Sequence, residues 1–314
     1  RLFLGGTVRE LFKTARNLLL DVVGLSSMGK SNIPIPPPAP IRKEKTKEEI
    51  AAEAKPVKDR IRALWSETIA LTDPRAEAAM LWFENRGVTP FDAPFHNVRF
   101  HQELPYYHGD EYVGKFPCIV SMLTDAKGFT KTLHRTFITH DGRKPPEIPA
   151  GNTRKLYTVP CDTTATGSAI KLDEASACLM LAEGLETALT VRRLTRKPTW
   201  SCVSKDLLRG IELPECVRIV TIWADKDRSD AGQRAAVDLI QRLRPRGIKV
   251  VAMLPPGDIK EGAKGLDWND LIIDNGIDAM RRDWNFRQWQ RAMDKLLGNE
   301  QTVSGVHTRA FVNN

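Results

Sequence analysis

The sequence predicts an α/β protein: a parallel, doubly wound sheet with flanking helices over residues 168–275, preceded by a smaller α+β part over residues 58–167. Three observations predict it. From residue 168 on, short apolar runs alternate with helically spaced segments: "ACLMLA", "EGLETALTVRRLT", "PTWSCVS", "VRIVTIWA", "AGQRAAVDLIQRLRPRG" and "IKVVAML". That order builds parallel sheets with helices on both faces. Upstream, the β-rich runs "VRFH", "FPCIVSMLT" and "TKTLHRTFI" are punctuated by the turn signals "DAKG" and "HDGRK", the pattern of a small antiparallel sheet. Acidic residues stand at the carboxyl ends of three predicted parallel strands, where open α/β sheets bind ligands.

The elements follow in order. Leu11, Ala15, Leu18, Leu19 and Val22 recur at helical spacing, which predicts an amphipathic helix within an N-terminal segment 1–33. Five prolines between 34 and 40 then enforce an extended linker, 34–57, which continues through charged residues into a solvated helix. At its edge "GLSSMGKS", Gly24 to Ser31, has the letters of a phosphate-binding loop. Such a loop needs a strand before it and a helix after it, and here a helical segment precedes and prolines follow. Lys30 is read as a linker charge. "VKDRIRALWSETIAL" and "PRAEAAMLWFENRGV" predict two helices, the second capped by Asp73, with Pro74 at its first position and Gly87 at its end. Beyond the parallel sheet, Trp289, Ala292, Met293, Leu296 and Leu297 form a helical stripe over 276–298 that packs on the body rather than stacking on bases. Residues 299–314 are polar and predict a flexible tail.

Composition narrows the classes. The chain has 314 residues, 41% hydrophobic and 27% charged, and a net charge of +8, a balance that favours polyanionic partners such as nucleic acid. Cys118, Cys161, Cys178, Cys202 and Cys216 are scattered, with no C-x-x-C pair, so neither a disulfide framework nor a zinc ribbon is expected. No apolar run is long enough to span a membrane, and a cytoplasmic setting is expected. Arg1 stands where an initiator methionine would, so a longer parent chain is expected.

The acids are the most informative feature. Glu183 follows "LMLA", Asp225 and Asp227 follow "IVTIWA", and Asp267 and Asp270 lie in "PPGDIKEGAKGLDWNDLI", read as a loop after "VVAML". Residues two apart on an extended segment point the same way, so Asp225 and Asp227 are expected to share one side of a site. Ionised carboxylates gathered this closely repel one another unless a cation offsets the repulsion. An all-oxygen donor set suits Mg²⁺ or Mn²⁺. Taken singly, each acid has a structural reading: Asp230 as a cap for the helix near Ala231, Glu183 and Glu186 as first-turn acids. The stretch from His134 and Arg135 through Arg143 and Lys144 to Arg154 and Lys155 is basic with few acids, read as a protected edge strand or as a wall against phosphates.

"LAEGLETA", "ADKDRSDAG" and "GLDWNDLI" resemble the three motifs of the Toprim domain, the catalytic module of bacterial-type primases, topoisomerases and some nucleases. The forms "EGLETAL" and "ADKDRS…GQRAA" are most similar to primases and primase-helicases of phages, plasmids and integrated elements. "RAEAAMLWFENRGV", "VRFHQELPYY", "LHRTFI" and "GRK" resemble the amino-terminal part of the primase core. The resemblance implies a Toprim catalytic domain over 168–275 after a primase-core part over 58–167. It implies Glu183, Asp225 and Asp227 as catalytic, metal-binding residues, with Glu186, Asp267 and Asp270 extending the metal site and Gly184 permitting a tight turn. It implies Mg²⁺, with Mn²⁺ able to substitute, two ions in the nucleotidyl transfer, and RNA primer synthesis on single-stranded DNA from nucleoside triphosphates. A replicative helicase, separate or fused, is an expected partner. His134, Arg135, Arg143, Lys144, Arg154, Lys155, Lys205 and Lys264 are expected to bind nucleotide or template. Asp230 stands where the family often has glycine, and Asn269 where replicative primases tend to have a second aspartate. The family's zinc module has no counterpart in these cysteines, so no zinc is expected. The alternatives are a Toprim nuclease or a non-catalytic DNA-binding or helicase-loading module.

Overall fold

In the computed structural model the described residues are 46–309, without 90, 92–94 and 158–164. The helix expected before residue 25, the proline-rich run and the phosphate-loop lookalike lie outside them. Thr46 opens α1 (Lys47–Ser66) through a capping box: its hydroxyl accepts from the Glu49 amide, and the Glu49 carboxylate accepts from the Thr46 amide. The helix therefore begins inside the segment read as linker, and it runs through Pro56. Ala54, Val57, Ile61 and Leu64 make its buried stripe. It ends at Ser66, and Ile69–Ala70 turn into the short strand β1 rather than continuing the helix.

Asp73 accepts from the Arg75 amide and opens a 3₁₀ turn, Pro74–Ala76, that leads into α2 (Glu77–Asn85). Strands β2 (Val98–His108), β3 (Glu111–Thr124), β4 (Thr130–Phe137) and β5 (Arg154–Leu156) complete a five-stranded antiparallel sheet in sequential order. Its two faces are covered differently. Val57, Ile61 and Leu64 of α1 pack on Leu104, Tyr106, Cys118, Val120, Leu133 and Phe137. The other face, with Val98, Phe100, Ile119, Leu123 and Ile138, packs on Trp82 and Phe83 of α2 and merges with the core of the downstream sheet.

That second sheet has the order β11-β9-β7-β8-β6, from β6 (Ile170–Lys171), β7 (Cys178–Ala182), β8 (Thr199–Ser201), β9 (Ile219–Trp223) and β11 (Lys249–Met253). β11, β9, β7 and β8 are parallel, and β6 closes one edge antiparallel to β8. Every residue of β7 and β9 is buried, as a strand covered on both faces requires. Cys178, Met180 and Ala182 face α3 (Leu185–Thr195), while Leu179 and Leu181 face α5 (Ala231–Leu243) and the short α4 (Lys205–Gly210). The sheet is doubly wound, as predicted. The segment read as one long loop holds two further elements, β12 (Gly265–Leu266), paired with β10 (Lys226–Asp227), and α6 (Trp268–Asn275). After α7 (Ile277–Arg282), α8 (Trp284–Arg309) runs past Gly298, where its end was expected. Phe286, Trp289 and Met293 of α8 are buried against Trp223 and Trp268, while Trp284 is exposed. The stripe packs, as its spacing predicted. Among the described residues no helix is long and apolar enough to cross a membrane.

Candidate active site

The site forms where β7 and β9 end and the chain turns outward. Glu183 follows β7 directly, and burial raises its carboxyl above the usual range. Asp225 lies two residues beyond β9; burial first, then the carboxylates of Asp267 and Glu183, push it up to about 8. Its Oδ1 is buried and has no hydrogen-bond partner. Together with Asp227, Asp267, Asp270 and the lysines Lys205, Lys226 and Lys264, these residues line a cleft of about 290 Å³. Acids from the ends of β7 and β9 meet there with two that come from the start of α6 (Trp268–Asn275) rather than from the end of β11.

Asp227 is occupied differently from its neighbour. Oδ1 accepts from the Ser229 amide and hydroxyl and the Ala231 amide; Oδ2 accepts from the Gly232 amide and from Lys205 Nζ at 2.8 Å. Although burial opposes it, these donors hold the carboxyl well below the usual range. Asp227 thus satisfies the open N-terminus of α5. Asp230, expected as a possible cap, sits in the left-handed region and makes no capping bond. The geometry requires Gly232: a Cβ there would lie 2.7 Å from the Asp225 carbonyl oxygen. Gly232→Ala is expected to cost about 1–3 kcal/mol and to loosen the Asp227 contacts, seen as a lowered Tm. Gly265 is equally crowded, by the Lys226 carbonyl at 2.7 Å. Gly184, by contrast, has φ −80° and meets no close atom, so its turn makes no demand that only glycine meets.

Asp267 and Asp270 cap α6 reciprocally: Asp267 Oδ1 accepts from the Asp270 amide at 2.8 Å, and Asp270 Oδ2 from the Asp267 amide at 3.4 Å. Burial still raises the Asp267 carboxyl. Glu186, on the first turn of α3, does not line the cleft. It is buried and paired with Arg154 of β5; burial raises its carboxyl, but the Arg154 charge, a backbone hydrogen bond and the Arg86 charge together bring it below the usual range. Asn269 is also buried. Its Nδ2 donates to the Arg86 carbonyl at 3.0 Å, and its Oδ1 accepts from Thr190 at 2.5 Å. It joins α6 to the end of α2 and to α3.

The basic stretch divides by strand alternation. His134 is buried, with Nδ1 unpartnered, and burial pushes its imidazole down to about 4. It belongs to the face from which Arg154 reaches Glu186. Arg135 and Lys155, paired across β4 and β5, point to the opposite face, over Tyr157 and Tyr106. Arg143 and Lys144 are exposed in the β4–β5 connection. Sequence reasoning missed Lys226, which the β10–β12 ribbon places on the rim, where its Nζ donates to the Gly257 carbonyl.

Among the described residues no three His, Cys, Asp or Glu side chains are gathered tightly enough to hold a metal ion. The reason is local: Asp227 is turned onto amides, Glu186 onto Arg154, and Asp267 and Asp270 onto each other. The orphaned Asp225 Oδ1, beside carboxyls raised by burial, is nevertheless a donor set suited to a hard divalent cation.

A doubly wound α/β domain with acids at its strand ends is thus in hand. Residues 178–278 match the Toprim domain family and form a Toprim domain. Residues 55–164 match a family described as a domain of unknown function (DUF7146). Among solved structures, the chain is similar to a DnaG primase catalytic domain bound to ssDNA, at 14% identity and TM-score 0.47, covering 73% of this chain and 78% of that one. It is similar to the zinc-binding and RNA polymerase domains of the Aquifex aeolicus primase, at 16% identity and TM-score 0.44, covering 86% of this chain and 66% of that one. For the primase fragment of the bacteriophage T7 primase-helicase protein the figures are 13% and 0.36, covering 57% and 63%. No curated protein matches.

Proposed function

We propose that the chain is a DNA-directed primase, joining ribonucleotides into short primers on single-stranded DNA. The observation that carries this reading is Asp225: a strand-end carboxyl with an orphaned oxygen, among Glu183, Asp267 and Asp270, inside a Toprim domain. The motif forms quoted from the sequence, upstream and within the Toprim segment, support a primase above other Toprim enzymes. Asp225, Glu183, Asp267 and Asp270 would hold Mg²⁺ or Mn²⁺, with two ions in the full reading. Bound there, the cation would make the primer 3′-hydroxyl easier to deprotonate and offset triphosphate charge.

The chain's own residues do the rest. Lys205, Lys226 and Lys264 put positive charge on the cleft rim, where triphosphate oxygens are matched by charge-assisted hydrogen bonds. Asp227 orients Lys205. Glu183, with its raised carboxyl, suits acceptance of the hydroxyl proton. Arg143 and Lys144 are exposed for template phosphates, and Arg154 holds Glu186 so that α3 keeps its place. The helicase partner, the phage, plasmid or integrated-element setting and the cytoplasm belong to the same reading and rest on the motif forms alone.

The test is incubation with a single-stranded template, four ribonucleotides and Mg²⁺ or Mn²⁺, with products resolved by length. New oligomers that Asp225→Asn does not make are the expected result. A shortened template would move the assignment to a nuclease, and neither product would move it to a non-catalytic module.

A further inference from the structure

A second surface has the chemistry of a nucleic-acid contact. Between α1 and the β3–β4 turn runs a groove of about 560 Å³, within the range that holds a small ligand or a nucleotide. Ile61, Trp65 and Met122 line it, and Phe129 stands beside them, 67% exposed at the turn. Lys58, Arg62 and Lys131 line it as well. Lys58 makes no ion pair among the described residues. Arg62 pairs with Asp59 at 3.2 Å while 77% exposed, and Lys131 lies 3.8 Å from Asp125. Asp125 is the one acid among these lining residues, and its Oδ1 is taken by the amides of Lys127 and Phe129, which build the turn.

This groove is separate from the catalytic cleft. Met122 pairs across the sheet with Leu133, whose side chain belongs to the α1-covered core. Arg154 reaches Glu186 from the other face. An exposed phenylalanine at the edge of an apolar groove, with three cations around it, pairs a π surface for a base with charges for a backbone. An apolar protein segment would use the floor but would add nothing to Lys58, or to Arg62 and Lys131 beyond their contacts with Asp59 and Asp125, so charge complementarity favours the nucleic acid.

We propose that this groove binds single-stranded DNA, as a template contact outside the catalytic cleft, with Phe129 stacking on a base and Lys58, Arg62 and Lys131 meeting phosphates. The template role rests on the primase reading; the binding itself does not.

The test is fluorescence anisotropy of a labelled oligo-dT with the full chain, without nucleotides or divalent metal, at several salt concentrations. Phe129→Ala is expected to weaken binding about tenfold, the size of one lost stacking contact. Lys58→Ala/Arg62→Ala is expected to lower the salt slope by about 1.4, since each lost phosphate contact removes about 0.7. These side chains are exposed, and unchanged circular dichroism melting confirms that the variants fold. Parent-like affinity and slope in both variants would overturn the proposal, as would a parent protein that does not bind the oligonucleotide. Binding that depends on Phe129 in a protein that makes no primers would leave the groove standing and the primase reading refuted.

Discussion

Asp225→Asn is expected to abolish primer synthesis and, at pH 8, to make the protein more stable than its parent. The two effects share a cause. Burial, Asp267 and Glu183 push the Asp225 carboxyl up to about 8, far above the value near 3.9 of an unfolded chain. Between those values the folded protein keeps a proton that the unfolded chain has released, so stability falls as pH rises through that window. The loss is complete above about pH 8 and absent below about pH 4. Asparagine has nothing to ionise, so the variant should escape the decline, by on the order of a few kcal/mol. Chemical denaturation of both proteins at pH 4.5 and pH 8, without divalent metal, reads the difference. Curves that stay parallel across that range would mean that Asp225 is ionised without penalty, and the strained carboxyl at the centre of the site would have to be given up. Adding Mg²⁺ supplies a second readout: the parent should gain stability at pH 8 and the variant much less.

Much of this site was legible because parallel strands buried on both faces advertise themselves. "CLMLA" and "IVTIW" have no polar interruption except Thr221, and the acids that follow them stand where such a sheet opens. What each acid does was less legible, because that depends on partners distant in sequence. Glu186 has the right residue type and lies three positions after Glu183, but one helical turn carries it inward, to an arginine that arrives from β5. Asp227 lines the same cleft as Asp225, yet the crowded Gly232 brings the α5 amides under it. Helix α6 was missed because "GLDWNDLI" is polar at its start, although Asp267 and Asp270 have the spacing of a reciprocal cap. The basic stretch was read as one wall since its residues are near in sequence. Neighbours on a strand face opposite ways, and that alone separates Arg135 from His134 and Lys155 from Arg154.

Asn269→Asp tests the other departure from the Toprim primase pattern, and it is expected to destabilise the protein strongly. If the position faced the acidic cleft, an aspartate would add a donor and strengthen cation binding. Here the Asn269 side chain is 4% exposed, and its amide nitrogen donates to the Arg86 carbonyl, a bond that an ionised carboxylate cannot make. The substitution would place an unpaired charge against a carbonyl oxygen and leave that oxygen without its donor, at a cost of about 2–4 kcal/mol. Because the bond joins the Toprim domain to the end of α2, unfolding should remain a single transition at a lower midpoint if both parts share one core, as the continuous packing of Trp82 and Phe83 with Leu185 and Leu189 implies. The deficit should shrink toward pH 4, since a protonated carboxyl can again donate to Arg86. A variant as stable as the parent at pH 8, with tighter Mg²⁺ binding by calorimetry, would instead put this side chain in the cleft and make asparagine a substitution within the metal site rather than a join between the two sheets.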